Sequence, residues 1–301
     1  MSVQWPAPAK LNLMLHITGR REDGYHLLQT VFQFIDFADY LEFGVRDDGR
    51  IRRHSNADFT VPADEDIIVR AAQKLREAAI DRHIAAADYG VDIHLQKNIP
   101  MGAGLGGGSS DAATTLLALN HYWRLGFSLD ELADIGLKLG ADVPVFVRGF
   151  AAFAEGVGEK LQPVEPAENW YVLLIPPVHV STQAIFENPD LTRDCDAIKL
   201  CDLSQKAWTN VCTPVVKKHY PEVSQAIDII NEYAEAKMSG TGASVFAAFA
   251  EKARAEQVLE KIRQKPEIAG WKSLLVRGQN QSSLHRFMAE NLALPPASLS
   301  S

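Results

Sequence analysis

The chain has 301 residues, of which 47% are hydrophobic and 23% charged, and its formal net charge is −8. This length suffices for two domains with separate cores, and the acidic balance argues against a protein that coats nucleic acid. No apolar run approaches the roughly 18 residues that a membrane-spanning helix needs, and the N-terminus lacks the basic and apolar regions of a secretory signal. Cys195, Cys201 and Cys212 have no CxxC spacing, so we expect free thiols and a cytoplasmic protein.

The first predicted element is a strand in the stretch "PAPAKLNLMLHI". Apolar residues alternate there with a second set, a period of two that predicts one buried face. The buried set is Ala9, Leu11, Leu13 and Leu15, and the second set is Lys10, Asn12, Met14 and His16. On this strand alone, Lys10 is best explained as an edge-strand lysine that discourages aggregation.

Further strands and helices follow in chain order. Strand patterns cover residues 27–43, as one strand or two, and residues 89–100, 170–177 and the end of 237–250. Helical patterns cover residues 64–79, 110–123, 128–140, 204–213, 221–236 and 251–265. A linker is predicted over residues 162–169, and the tail over 291–301 is expected to be flexible. Strands and helices without strict alternation favour an α+β fold.

The glycine-rich stretch "PMGAGLGGGSSDAA", residues 100–113, is the strongest local signal. Five of the seven residues from Gly102 to Gly108 are glycine, which lets backbone N–H groups approach an anion without Cβ atoms in the way. Ser109, Ser110 and Asp111 are suitable caps for the helix that follows. A helix N-terminus adds its dipole to those N–H groups, so we predict a phosphate-binding loop.

Two common phosphate loops do not match this stretch. A Walker A loop requires a lysine before the serine pair, and none is present. The spacing from Gly102 to Gly107 does fit G-x-G-x-x-G, but a dinucleotide site also needs an acidic residue at a strand end about 20 positions later. Asp130 and Glu131 occupy that region inside a predicted helix start, which disfavours a dinucleotide-dependent oxidoreductase.

Three motifs together resemble the GHMP kinases, the family that includes galactokinase, homoserine kinase and mevalonate kinase. They are "PAPAKLNLML", the glycine loop and "SGTGASVFAAF" at residues 239–249, in the family's order over about 240 residues. The resemblance implies an ATP-dependent kinase of α+β class with two domains. The first, residues 1–162, would be a ribosomal-protein-S5-like α/β domain that binds ATP, and the second, residues 163–290, a ferredoxin-like α+β domain.

The resemblance also assigns the chemistry. Asp142 in "LGADVPVF" is, from the residues alone, best explained as a turn residue that bonds its own backbone. Pro144 is expected to hold Val143 extended and to stiffen that turn. Asp142 and Lys10 match the family's catalytic aspartate and lysine. A lysine near Asp142 would favour the ionised carboxylate and could stabilise the attacking oxygen and the phosphoryl group.

Within the family, "GYHLLQTVFQFID" and "GADVPVF" favour a member that acts on a cytidine-bearing alcohol rather than a homoserine or mevalonate kinase. The resemblance implies that Tyr25 and Phe186 stack on the cytosine ring and that His26 reads its polar edge. Asn12 would bond the polyol, Phe32 would flank the pocket, and Thr182 would face the diphosphate or polyol. A non-catalytic nucleotide-binding protein on this fold should lack the lysine and the aspartate, and both are present.

Residues predicted to bind ATP are Pro100, Met101, Gly102, Ala103, Gly104, Leu105, Gly106, Gly107, Gly108, Ser109, Ser110, Lys97 and Asp66. Lys97 is equally well explained as a solvated lysine at a strand end. Asp66 stands where relatives usually carry an asparagine that helps to hold adenine, so its adenine contact is in doubt. Mg²⁺ is expected with ATP, contacted by the hydroxyls of Ser109 and Ser110 rather than by a carboxylate cage. A monomer or homodimer without nucleic-acid or membrane partners is expected.

Overall fold

The computed structural model describes residues 3–22, 24, 26–56, 61–62, 64–205 and 208–292. Tyr25 and residues 293–301, about which predictions are made above, lie outside these ranges. The strands are β1 Trp5–Arg20, β2 His26–Arg46, β3 Ile51–Ser55, β4 Gly90–Gln96, β5 Ala152–Glu155, β6 Lys160–Pro163, β7 Trp170–Ile175, β8 Lys237–Met238, β9 Val245–Phe249 and β10 Lys272–Gln279. The helices are α1 Ile67–Asp81, α2 Gly107–Tyr122, α3 Leu129–Leu137, α4 Val143–Arg148, α5 Thr182–Glu187, α6 Thr213–His219, α7 Pro221–Asn231, α8 Lys252–Arg263 and α9 Ser283–Asn291.

The helices with strong sequence patterns form as predicted. The helical pattern predicted over residues 64–79 forms α1, and the apolar residues on its inner face, including Ala72 and Leu75, are buried. A capping box between Ser128 and Glu131 begins α3. Residues 27–43 belong to one strand, β2, of 21 residues. The predicted helix over 204–213 is wrong, because a short 3₁₀ helix occupies Leu200–Gln205 and α6 begins only at Thr213.

The strands form a mixed sheet that joins the two halves of the chain. Its order is β3-β4-β2-β10-β7-β9-β8, and β1 and β5 also pair with β2. All these pairs are antiparallel except β3 with β4. The junction is short: Gly278 and Gln279 of β10 pair with Ile35 and Phe34 of β2. The α+β expectation is confirmed.

Three apolar clusters form the core. The first lies between the N-terminal strands and α1 and α2, and α9 contributes Leu284 to it. The second lies in the C-terminal half around α7 and α8, and the third lies between the two sets of strands. Because β1 contributes residues to all three clusters, it ties both halves together. The domain division at residues 162 and 163 stays a prediction.

The predicted alternation along β1 is only partly right. Both faces are buried: Lys10 is 3% exposed and Asn12 is 4% exposed. A register shift between Asn12 and Met14 inserts an extra residue, and Met14 consequently packs in the third cluster with Leu11 and Leu13. The edge-strand explanation of Lys10 is therefore wrong, because the side chain is enclosed rather than solvated.

None of the helices in the described ranges is both long enough and apolar enough to cross a membrane. Cys195, Cys201 and Cys212 are free thiols, and Cys212 is buried.

Candidate active site

A cavity of about 580 Å³ lies where the two halves of the chain meet, and it brings together most of the predicted site. Its lining includes Lys10, Asn12, Phe32, Asp66, Lys97, residues 100–109, Asp142, Thr182 and Phe186. The third motif contributes Gly240 and Thr241. Ser110 is buried and is not among the lining residues. His26 is not among them either, but its ring contacts the ring of Phe186, which lines the cavity.

The glycine loop is held from two sides. The backbone N–H of Lys10 donates to Leu105 O at 3.0 Å, and Ser239 Oγ donates to Gly104 O at 2.8 Å. Gly104 has φ +72°, and a Cβ there would lie 2.2 Å from the carbonyl oxygen of Ser239. Gly106 has φ +73°, and its Cβ would lie 2.8 Å from the Phe146 ring. Other residues are excluded at these two positions by conformation and by contact.

The start of α2 differs from the prediction. Gly106 is its N-cap residue and no side chain caps it in the described chain, so the capping prediction for Ser109, Ser110 and Asp111 is wrong. The helix begins earlier than expected, and the serines lie inside its first turn. The first N–H groups of a helix have no intrahelical acceptor, and here no side chain of the described residues supplies one at the N-cap.

Lys10 and Asp142 meet at the loop. Lys10 Nζ lies 3.4 Å from Asp142 Oδ2. It also donates to Asn12 Oδ1 at 2.5 Å and to Gly104 O at 3.0 Å. An ammonium group has three N–H donors, so these three oxygens fix its position. The Asp142 side chain is 35% exposed, which leaves its carboxylate open to the cavity.

The backbone at Asp142 is not the predicted stiff turn. Val143 is the first residue of α4, so the expectation that Pro144 holds it extended is wrong. A proline fits in the first turn of a helix because the N–H that it lacks has no intrahelical partner there. Asp142 occupies the N-cap position without a side-chain capping bond, so the alternative of a carboxylate that bonds its own backbone is not supported either.

Asn12 positions Lys10. Its Oδ1 accepts from Lys10 Nζ, and its Nδ2 donates to Thr30 Oγ1 at 2.9 Å. Its backbone N–H donates to Ser239 Oγ at 3.1 Å, which links β1 to the third motif. Since a carboxamide has two N–H donors, the second has no partner among the described residues.

Lys97 lies in a buried ion cluster beside the cavity, and its predicted contact with ATP stays a prediction. Its Nζ donates to Asp39 at 2.5 Å and to Asp111 at 2.8 Å, and its side chain is only 10% exposed. Asp39 also accepts from the backbone N–H groups of Asn98 and Ile99. Lys97 is therefore not a solvated lysine. It lines the cavity, but its charge is directed to two buried carboxylates.

The pKa values of this ion cluster reflect the crowding of two acids on one base. Burial opposes the charge of Lys97, but Asp111 and Asp39 outweigh it and raise the pKa of Lys97. Burial raises the pKa of Asp111 well above its usual value, Lys97 acts against this shift, and Asp39 adds to it. Asp111 Oδ1 is buried without a partner in the described chain.

Asp66 is occupied as well. Its Oδ1 accepts from the backbone N–H of Ile68 at 2.9 Å, as the N-cap of α1, and its Oδ2 pairs with Arg53. Both oxygens thus have protein partners. Asp66 lies at the cavity wall, and because each carboxylate oxygen can accept a second hydrogen bond, its contact with adenine stays a prediction.

The end of the cavity predicted to hold the base contains Phe186 and Thr182 of α5. Thr182 Oγ1 lies 2.9 Å from Thr241 Oγ1. The rings of Phe186 and His26 are 5.2 Å apart, and Phe32 is 2% exposed with Lys10 Nζ 5.5 Å from its ring centre. Burial, followed by the charges of Arg193 and Arg20, lowers the pKa of His26.

Four residues that support the site were missed by sequence reasoning. Asp39 holds Lys97, and Ser239 joins Asn12 to the glycine loop. Asn210 donates to the carbonyls of Met238 and Gly240, and Arg193 bonds His26. Only Ser239 stands in a motif that was recognised, and the others give no local signal.

Comparison with known proteins identifies the family. The model of the GHMP kinases N terminal domain matches residues 66–150, and that of the GHMP kinases C terminal matches residues 194–268. The chain therefore belongs to the GHMP kinase family and is a small-molecule kinase.

Individual relatives carry more specific names than the family models do. The chain is 55% identical to a 4-diphosphocytidyl-2-C-methyl-D-erythritol kinase of Pseudomonas fluorescens, over 93% of this chain and 95% of the relative. It is 51% identical to the kinase of the same name from Shewanella denitrificans, over 94% and 96%. A crystal structure of 4-(cytidine 5'-diphospho)-2C-methyl-D-erythritol kinase superposes with a TM-score of 0.74 at 30% identity, over 92% of this chain and 99% of that one. A mevalonate kinase structure shares the fold at 15% identity, with a TM-score of 0.65 and coverage of 93% and 100%.

Proposed function

We propose that this kinase transfers the γ-phosphoryl group of ATP to the 2-hydroxyl of 4-diphosphocytidyl-2-C-methyl-D-erythritol, the substrate in the name of its relatives. This step belongs to the non-mevalonate route to isoprenoid precursors, and we place it in the cytoplasm. The observation that carries the proposal is the Lys10–Asp142 pair, 3.4 Å apart beside the glycine loop in one cavity. Phosphoryl transfer needs an aligned hydroxyl, a phosphate cradle and positive charge near the transferred group.

Asp142 is the residue placed to receive the substrate hydroxyl. Its carboxylate is partly exposed to the cavity and has no capping bond of its own, so it can accept the hydroxyl proton in a hydrogen bond. Lys10, fixed by Asn12 and Gly104, supplies positive charge where negative charge develops on the attacking oxygen and the phosphoryl group.

The glycine loop is the proposed cradle for the phosphates. The first turn of α2 presents backbone N–H groups without a side-chain cap. Gly108 has room that the other loop glycines lack, because the nearest atom to a Cβ there would be 3.8 Å away. A phosphate oxygen can approach the backbone at such a position.

A magnesium ion bound with ATP fits this site through few protein ligands. Ser110 Oγ is buried without a partner in the described chain, and Ser109 lines the cavity. Among the described residues there is no group of three or more His, Cys, Asp or Glu side chains that could form a cage. The hydroxyls of Ser109 and Ser110 would hold an ion shared with the phosphates. When bound, it would neutralise charge on the β- and γ-phosphates.

Recognition of the substrate is proposed for the opposite end of the cavity. Phe186 and Tyr25 would stack on cytosine, an interaction that typically contributes about 1–3 kcal/mol per base. His26 would bond the base's polar edge, and Asn12 would use its remaining N–H for the polyol. Phe32 and Thr182, both in the cavity wall, would bound the polyol and diphosphate.

The test is a coupled assay of ADP formation with ATP, magnesium and one acceptor at a time. We expect turnover with 4-diphosphocytidyl-2-C-methyl-D-erythritol and none with homoserine or mevalonate, which the same family also phosphorylates. Turnover of homoserine or mevalonate without turnover of the cytidine substrate would reject the substrate and keep the family. Gel filtration of the same preparation distinguishes the monomer from the homodimer that we also consider.

A further inference from the structure

Arg193 lies in the segment that follows α5, outside every motif discussed above. Its guanidinium makes four hydrogen bonds. Nε donates to His26 Nε2 at 3.1 Å, Nη1 donates to Leu191 O at 3.0 Å, and Nη2 donates to Phe186 O at 2.8 Å and Asn188 O at 2.6 Å. One side chain therefore bonds two of the three residues that the proposed function places at the base, His26 and Phe186.

The carbonyl bonds hold the end of α5. Phe186 and Asn188 lie in its last turn and at its C-cap, where carbonyl oxygens have no intrahelical partner. A planar guanidinium can satisfy several such oxygens at once because its donors point in fixed directions. Arg193 thus fixes the backbone that carries the Phe186 ring into the cavity.

The segment that carries Arg193 is itself held against β1 and β2. The backbone N–H of Cys195 donates to Ile17 O at 2.9 Å. Ile198 N–H donates to Gln29 Oε1 at 2.7 Å, and Gln29 Nε2 donates to Ile198 O at 3.0 Å. Arg193 therefore reaches His26, the first residue of β2, from a fixed support.

The bond to His26 also determines the state of the imidazole. Because Arg193 Nε is a donor, His26 Nε2 must be an acceptor, and in the neutral ring the proton then lies on Nδ1. The lowered pKa of His26, caused by burial, Arg193 and Arg20, agrees with a neutral ring near pH 7.

We propose that Arg193 is a positioning residue for base recognition: it holds His26 and Phe186 together as one wall and leaves the His26 Nδ1–H as the ring's donor to the ligand. This inference rests on the proposed function. A donor that faces N3 suits cytosine, whose N3 accepts, and opposes uracil, which carries a hydrogen on N3; O2 accepts in both bases and does not distinguish them. Arg193 would therefore support the choice of a cytidine over a uridine diphosphate group.

Calorimetric titration with CDP and UDP measures this choice. We expect wild-type protein to bind CDP about tenfold more tightly than UDP, the size of one well-placed hydrogen bond. Arg193→Gln should weaken CDP binding about tenfold and bring the ratio of the two affinities near one, while KM for ATP changes less than twofold. Arg193→Lys keeps the charge but not the planar set of donors, so its CDP affinity should lie between those of wild type and Arg193→Gln.

Arg76→Gln is the matched control, because Arg76 also donates to backbone carbonyls, those of Gly49 and Tyr89, but bonds neither His26 nor Phe186. It should leave both nucleotide affinities unchanged. Equal losses of CDP, UDP and ATP binding in Arg193→Gln would show a merely structural role and overturn the inference. Unchanged CDP binding would overturn it too, whereas a wild-type protein that binds no CDP would overturn the proposed function with it.

A second measurement needs no variant at the arginine. Nitrogen–proton correlation spectra report which ring nitrogen of a histidine carries the proton, and the His26 signals are assigned by their loss in His26→Gln. We expect a bare Nε2 and a protonated Nδ1 in the wild-type protein. A proton on Nε2 near pH 7 would contradict the proposal even if Arg193 variants failed to fold.

Discussion

Two lysines flank the glycine loop, Lys10 on β1 and Lys97 after β4, and both are nearly enclosed. Lys97 faces two buried carboxylates at 2.5 and 2.8 Å, so its charge is more than compensated. Lys10 faces two neutral oxygens, and its one carboxylate partner, Asp142, lies farther away at 3.4 Å and is partly exposed.

This difference in environment distinguishes a lysine that stabilises the fold from one that could take part in the reaction. A cation whose charge is satisfied by buried acids holds the protein together, whereas one held mainly by neutral dipoles can still interact with an incoming phosphoryl group. Lys97 packs against the glycine loop, since a Cβ on Gly107 would lie 3.0 Å from Lys97 Nζ. Lys10 supports it at Gly104 and also lines the cavity.

The largest effect is expected for Lys97→Met, which would leave Asp39 and Asp111 buried without a cation. Such a loss costs about 3–5 kcal/mol of unfolding free energy, and urea denaturation measures it. The folded fraction should keep a kcat within about threefold of wild type, because the charge of Lys97 is directed to Asp39 and Asp111. Lys74→Met, which breaks an exposed pair with Glu77, should cost at most about 0.5 kcal/mol. A stable Lys97→Met protein that binds ATP weakly would show instead that Lys97 binds the nucleotide.

Lys10→Met should show the reverse pattern. We expect kcat to fall by a factor on the order of 100 to 1000, the usual scale for losing one transition-state donor, with a smaller loss of stability than for Lys97→Met. Steady-state assays at saturating substrates and urea denaturation on the same preparation give both values. Near-normal kcat in the folded variant would mean that the two lysines do not differ as described.

The smallest effect is expected for Asp111→Asn, and it depends on pH. Because the pKa of Asp111 is raised in the folded state, the folded protein binds this proton more tightly than the unfolded chain does. Stability is therefore lost as pH rises from the ordinary aspartate range through the folded pKa. Asp111→Asn should remove that dependence and gain about 1 kcal/mol or less at pH 8, measured by urea denaturation at two pH values. Asp39→Asn, in contrast, should destabilise, since Asp39 also accepts two backbone N–H groups. If the difference in unfolding free energy between wild type and Asp111→Asn is the same at both pH values, the pKa of Asp111 is not raised in the folded state.

Features with local periodicity or glycine clustering could be predicted from the sequence. The apolar face of α1, the capping box of α3 and the glycine loop are all written in neighbouring residues. Lys10 and Asp142 were found through their motifs, and the structure brings them within 3.4 Å.

Features that depend on distant partners could not be predicted. Lys97 and Asp39 are 58 residues apart in the sequence, and Asn12 and Ser239 are 227 apart. The residues next to them in the sequence therefore give no indication of the contact. The register shift that turns Met14 inward depends on what covers β1. Val143 becomes helical because α4 packs in the first core cluster, which overrides the local preference before proline.

The central claim is that Asp142 receives the substrate hydroxyl, and Asp142→Asn tests it most directly. With ATP, magnesium and 4-diphosphocytidyl-2-C-methyl-D-erythritol, kcat should fall by a factor on the order of 100, while KM for ATP and thermal stability stay near wild type. Asp134→Asn, at an exposed position of α3, should leave kcat unchanged. A folded Asp142→Asn enzyme with near-normal kcat would contradict the account.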